Sequence, residues 1–121
     1  MAKTILIIED NLQNRRLEKD LFEVKGYMVL EAENAKEGIA LATKNKPYLI
    51  IMDIRLPDIR GTEAARILRS DEKTRDIPIV FVTASAMVTE MNEISTISKC
   101  GYITKPINTR TFVKEVEGYI R

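Results

Sequence analysis

The sequence predicts a doubly wound α/β domain, five short parallel strands alternating with five helices. Three observations carry this reading. Short apolar runs recur between longer amphipathic segments along the whole chain. Two of those runs, residues 49–52 and 79–82, are apolar at every position, as parallel strands covered on both faces must be. Glycine or proline stops the first two helical segments, at Gly26 and before Pro47. Right-handed crossovers then join the strands.

In chain order, residues 5–8 (ILII) form the first strand and run straight into two adjacent acids, Glu9 and Asp10. Residues 11–25 predict a helix with Leu17, Leu21 and Val24 on one stripe, ended by Gly26. Residues 28–30 are the second strand. Residues 34–45 carry Ile39 and Ala42 and must stop before Pro47, because the residue preceding proline disfavours helical backbone. The third strand, residues 49–52, delivers Asp53; residues 62–70 follow as a helix. The fourth strand, residues 79–82, delivers Thr83, and residues 86–98 predict the fourth helix, its Met87, Met91 and Ile94 stripe packing into the core. The fifth strand, residues 102–103, leads to Lys105 and Pro106. In residues 109–120, Phe112, Val116 and Ile120 repeat at helical spacing.

Residues 1–121 are one domain's worth of chain, long enough to bury a core. With 19 basic and 18 acidic residues the net charge is +1, which argues against a general nucleic-acid or membrane-surface binder. The single cysteine, Cys100, cannot form an internal disulfide and reads as a small buried filler; a reducing cytoplasm is the expected location. No apolar run approaches the roughly 20 residues of a membrane span, and the start is not a signal peptide. The absence of histidine excludes His-based catalysis, most zinc sites and a phosphohistidine of the chain's own.

In a doubly wound fold the ligand site lies beyond the carboxyl ends of the strands, at the switch in strand order. Glu9, Asp10, Asp53, Thr83 and Lys105 all sit at strand exits and hence on one rim. If the first and third strands are neighbours, three carboxylates converge, and such a cluster needs a cation. Mg²⁺ fits, because it takes one or two carboxylates together with waters and phosphate oxygens. Three acids, one lysine and Mg²⁺ then sum formally to zero. Taken singly, Asp53 reads as a cap or turn acid, Glu9 and Asp10 as a helix-capping pair, Thr83 as a strand-end hydroxyl and Lys105 as a turn lysine. Their joint placement on one rim is what favours a site.

Through ILIIEDN, MDIRLPDIRG, VTASAM and YITKPI, in that order and spacing, the whole chain resembles the receiver domain of two-component response regulators. Single-domain receivers of the DivK-like and CheY-like kind, and the receivers of hybrid kinases, share this style. The resemblance implies the flavodoxin-like strand order 2-1-3-4-5. It makes Asp53 the phosphoacceptor, with Thr83 and Lys105 completing the catalytic set. It makes Asp10 and Asp53 direct Mg²⁺ ligands, Glu9 a ligand through water and Arg55 a ligand through its carbonyl. Thr83 would bond the phosphoryl group, Lys105 would pair with it, and Tyr102 would be the aromatic switch. The Lys105–Pro106 bond would be cis, which proline permits. Arg55 and Ser85 occupy positions that tune dephosphorylation. The segment SKCGYITKP lacks the usual Gly-Ala pair and looks one residue short before Tyr102.

The implied function is a phosphoacceptor signalling domain, catalysing only its own phosphorylation and dephosphorylation. Its partners would be a sensor histidine kinase or histidine phosphotransfer protein, and a downstream protein read through the fourth helix, fifth strand and fifth helix. Exposed positions such as Glu90 and Glu93 would carry that contact. Neither nucleic acid nor membrane is an expected partner, and the chain is expected to be a monomer or weak dimer. The chain ends one residue past the fifth helix, which leaves no room for an output domain and favours a stand-alone receiver; the alternative is a receiver cut from a longer regulator or hybrid kinase, against which the Met-Ala-Lys start leans. A Mg²⁺-dependent phosphohydrolase would need a second acid beside the nucleophile, and residues 54–57 offer none, with Asp58 in the turn beyond. A flavodoxin-type nucleotide binder would need a glycine-rich loop after the first strand, and none is present.

Overall fold

The apolar runs become β1 (Thr4–Ile8), β2 (Met28–Ala32), β3 (Leu49–Met52), β4 (Ile79–Thr83) and β5 (Cys100–Thr104) in a computed structural model that describes residues 2–84 and 87–120. All neighbouring strands pair in parallel, in the order β2-β1-β3-β4-β5. Between and after them lie α1 (Leu12–Val24), α2 (Ala35–Asn45), α3 (Gly61–Ser70), α4 (Val88–Ser95) and α5 (Phe112–Gly118). This is the flavodoxin-like, doubly wound fold and strand order expected from the sequence.

Side chains alternate across a strand, so strands apolar at every position need cover on both faces. Leu6, Ile8, Ile50, Met52, Ile79 and Phe81 pack with α2, α3 and α4 on one side. Ile5, Ile7, Leu49, Ile51, Val80 and Val82 pack with Phe22 of α1 and with Phe112, Val113 and Val116 of α5 on the other.

Local chemistry sets the helix ends. The Asn11 side chain accepts the Asn14 N–H at 2.9 Å and starts α1, while Gly26, at φ 91°, takes the left-handed turn that stops it. The Asn34 side chain accepts from Glu37 N–H at 2.8 Å to start α2. Helix α4 is shorter than residues 86–98, and Ala86 lies outside the described residues. Past Ser95, the Thr96 and Ile97 N–H groups bond three residues back, and Lys99 at φ 55° redirects the chain into β5. That left-handed lysine makes the turn before β5, and Arg69 of α3 ties it down by donating to the Ser98 and Lys99 carbonyls at 2.8 and 3.1 Å. Helix α5 likewise covers less than residues 109–120, because the Asn108 side chain accepts Arg110 N–H at 3.0 Å and holds its entry as a turn. Phe112 and Val116 are buried as expected and Ile120 packs at the edge of the same core.

Two expected faces are corrected. In α1 the stripe Leu17, Leu21, Val24 is not the buried one: Leu17 is 41% and Val24 83% exposed, whereas Arg15, Glu18 and Phe22 are buried. Phe22 packs edge-on against Phe112, centroids 5.7 Å apart. Arg15 is drawn in by the Glu9 carbonyl at 2.9 Å and by Glu31 at 3.1 Å. These anchors turn the helix, and Glu18, on the same face, goes in with them. In α4, Ile94 is buried and Met91 half-buried, but Met87 precedes the helix and is 57% exposed. Cys100 is half-buried against the α2–α4 side of the core.

Candidate functional site

Register alone brings the acids together. β1 and β3 are neighbours with Ile8 opposite Met52, so the residues that follow, Glu9 and Asp53, leave the sheet side by side. Asp53 N–H donates to the Ile8 carbonyl at 3.1 Å, and Glu9 N–H to the Ala32 carbonyl at 3.0 Å. Oxygens of Glu9, Asp10 and Asp53 lie within 4.8 Å of one another; Glu9 is buried, Asp53 half-buried and Asp10 exposed. From the end of β5, Lys105 reaches across β4: its ammonium donates to Glu9 Oε1 at 2.6 Å and to Asp53 Oδ2 at 3.0 Å. Its backbone N–H bonds the Thr83 carbonyl at 2.7 Å, and the Lys105–Pro106 peptide is cis.

The surroundings of Asp53 are tight. Arg55 N–H donates to Asp53 Oδ1 at 3.2 Å. Helix α3 begins so close beneath that a Cβ on Gly61 would collide with the Asp53 carbonyl oxygen and crowd Ile54 Cα. Asp58 is not part of the cluster; its carboxylate accepts the Ala35 and Lys36 N–H groups at 2.9 and 2.8 Å, clamping the loop to the start of α2. Desolvation works against the charge of Asp58, but these backbone donors win and hold its carboxyl below the usual range.

Burial pushes the Glu9 carboxyl up from its ordinary value, and the Lys105 ammonium pulls the other way. Lys105 is desolvated too, yet its bonds to Glu9 and Asp53 outweigh this and raise its pKa, so it stays a cation. A fourth acid stands behind the cluster. Glu18 is 2% exposed, and its carboxyl is pushed up to about 8 by burial first and by the charge of Glu9 second. Nothing in the sequence marked it: in the run LEKD it reads as a solvent-facing helix acid. Arg15, buried at 7% exposure and bonded to the Glu9 carbonyl, was equally hidden.

Thr83 is fully buried at the end of β4, and Tyr102 is half-buried in β5 beside Phe81, its carbonyl accepting the Tyr119 hydroxyl at 3.0 Å. Ser85 lies outside the described residues. Glu90 and Glu93 are not free surface positions. Glu90 is 7% exposed and receives Met87 N–H and Arg60; Glu93 pairs with Arg60 and Arg66 at 3.3 and 3.0 Å, joining α4 to α3.

As a donor set, three carboxylates this close, one of them open to solvent, offer hard oxygen ligands on one side only, which suits Mg²⁺. Among the described residues no helix is long and apolar enough to cross a membrane.

The family described as the response regulator receiver domain matches residues 5–117. The chain is 38% identical over 120 residues to the polar-differentiation response regulator DivK of Brucella anthropi, covering 99% of this chain and 98% of that protein. Among solved structures, a CheY-like receiver domain protein of Methanospirillum hungatei superposes with TM-score 0.91 at 28% identity, over 99% of this chain and 94% of the other. The receiver domain of a sensor histidine kinase of Pseudomonas aeruginosa, with magnesium coordinated in its active-site cleft, gives TM-score 0.88 at 26% identity over 99% and 98%.

Proposed function

The chain belongs to the response regulator receiver domain family, and from that premise we propose that Asp53 accepts a phosphoryl group from the phosphohistidine of a sensor histidine kinase or a histidine phosphotransfer protein. The observation that carries this is the Lys105 ammonium bonded to both Glu9 and Asp53 inside a cluster of three carboxylates. Asp53 Oδ forms the new bond to phosphorus as the bond from phosphorus to the donor imidazole nitrogen breaks, and the imidazole leaves with a proton. Phosphoryl transfer asks mainly for positioning and charge neutralisation. Lys105 supplies a fixed cation at the acceptor, and the Thr83 hydroxyl bonds a phosphoryl oxygen. Asp10, Asp53 and Glu9, with the Arg55 carbonyl, would hold Mg²⁺. The chemistry such an ion would supply is charge neutralisation beside the transferring group.

The aspartyl phosphate then draws Thr83 toward it, and Tyr102 on the neighbouring strand follows. A local electrostatic change thereby biases the face formed by α4, β5 and α5, which a downstream protein reads. The chain acts in the cytoplasm as a monomer or weak dimer. The test is to incubate the protein with a small acyl phosphate and Mg²⁺. One acid-stable, base-labile phosphoryl group should be gained by the wild type and none by Asp53→Asn or after chelation; labelling retained in Asp53→Asn overturns the assignment.

A further inference from the structure

Helix α1 leaves one buried acid without a partner. Glu18 is 2% exposed, yet among the described residues no hydrogen bond or ion pair reaches its carboxyl. It lines an open cavity of about 360 Å³ between α1 and the chain leaving β5, whose walls include Asn14, Leu17, Pro106 and Ile107. Lys105 borders the same cavity, but its ammonium is already engaged by Glu9 at 2.6 Å and Asp53 at 3.0 Å.

Charge balance turns this into a question of occupancy. Glu9, Asp10 and Asp53 are offset by Lys105 and one divalent cation. Glu18 adds a negative charge that meets only distant attraction from Lys105, whose ammonium is bonded elsewhere, and a buried carboxylate without a bonded cation is costly. Burial without a bonded cation therefore favours the protonated group. The other way to satisfy it is a cation from outside. A bare metal ion would find one carboxylate among apolar walls, too few ligands to replace its water. An ammonium or guanidinium on an apolar stem fits better, since its methylenes contact Leu17, Pro106 and Ile107 while its charge meets Glu18. The cavity opens beside Lys105, on the rim above Asp53. A protein that delivers a phosphoryl group to Asp53 must cover that rim, so the occupant follows from the phosphoacceptor reading above and rests on it.

We propose that this cavity receives a lysine or arginine side chain of the phosphodonor protein docked over Asp53, with Glu18 as the carboxylate that pairs with it.

Butylguanidinium and butylammonium are the probes and butanol the neutral control, titrated into the whole protein with Mg²⁺ present. The readout is the backbone amide shifts of Asn14, Leu17 and Ile107. Both cations should give saturable shifts and butanol none. Glu18→Gln keeps the shape and loses the charge, and should weaken cation binding about tenfold or more. Leu17→Ser keeps the carboxylate, removes one apolar wall from an exposed position, and should weaken binding less. Butanol binding as well as the cations would make this an apolar cavity only, and cation shifts that are absent, or unchanged in Glu18→Gln, would equally overturn the proposal. Labelling of the wild type by a small acyl phosphate is measured in parallel. Its failure would overturn the phosphoacceptor reading, whatever the cations do.

Discussion

Lys105 donates to Glu9 at 2.6 Å across a sequence separation of 96 residues, closing the end of β5 onto the end of β1. The same ammonium donates to Asp53 at 3.0 Å, so one lysine bonds two of the three clustered carboxylates, the same oxygens that a divalent cation would draw on. On the proposed function the lysine and the metal are therefore rivals for these carboxylates before phosphorylation, and both would face the phosphoryl group after it.

That rivalry has a measurable sign. Lys105→Ala removes a competitor from Glu9 and Asp53, so Mg²⁺ should bind more tightly, by severalfold, in a calorimetric titration. The same variant leaves Glu9 buried without its cation and should lower the metal-free melting temperature, with Mg²⁺ restoring much of the loss. Because Asp53 remains, some labelling should persist, while the phosphorylation-dependent amide shifts around Tyr102 disappear. Thr83→Ala should separate labelling from response in the same way. A normal response in either variant means the switch is wired through other residues.

Gly61 tests how closely α3 is set against the phosphoacceptor. An added Cβ meets the Asp53 carbonyl oxygen and Ile54 Cα, which are backbone and cannot swing aside. Gly61→Ala should cost about 1–3 kcal/mol in urea unfolding and slow Asp53 labelling by displacing its loop. A variant as stable and as fast as wild type would show that this loop yields freely.

Stability should depend on pH through Glu18. Burial raises its carboxyl from 4.5 to about 8, so the folded chain keeps a proton that the unfolded chain loses. Protons bound are then fewer in the unfolded state, and unfolding free energy falls as pH rises through that window. For the metal-free protein, stability should decline from about pH 5 to pH 8 by an amount on the order of a few kcal/mol. Glu9, also raised, contributes in the same direction; Lys105, raised from 10.5, contributes stability that is lost only at more alkaline pH. Glu18→Gln should flatten the slope, and an unchanged slope would mean that the carboxyl is ionised in the folded state.

Output should be read on the residues of α4 that are free to touch a partner. Thr89 and Asn92 are exposed, whereas Glu90 and Glu93 are spent on Arg60 and Arg66. Replacing Thr89 or Asn92 by bulky residues should weaken binding of the downstream protein without slowing Asp53 labelling. The wild type should bind that protein more tightly with a phosphate mimic than without, by roughly 1–3 kcal/mol. Equal affinity in both states would remove phosphorylation as the gate.

By itself the sequence determined the element order, because strand and helix periodicities differ and glycine and proline mark the joints. It also placed Glu9, Asp10, Asp53, Thr83 and Lys105 at strand exits, and parallel strands put all such exits on one rim. Only the tertiary structure decided which of these touch. Pairing of β1 with β3 brings Glu9 beside Asp53, and the reach of Lys105 over β4 joins them. It also decided which face α1 buries. Periodicity favoured Leu17 and Val24, but Glu31 and Phe112 are non-local anchors that, with the Glu9 carbonyl just ahead of the helix, pull Arg15 and Phe22 inward. Glu18 follows because helix geometry puts it on the same face. A local pattern contains no information about a carboxylate on β2 or a ring on α5, so the acid behind the site became visible only once the chain had folded.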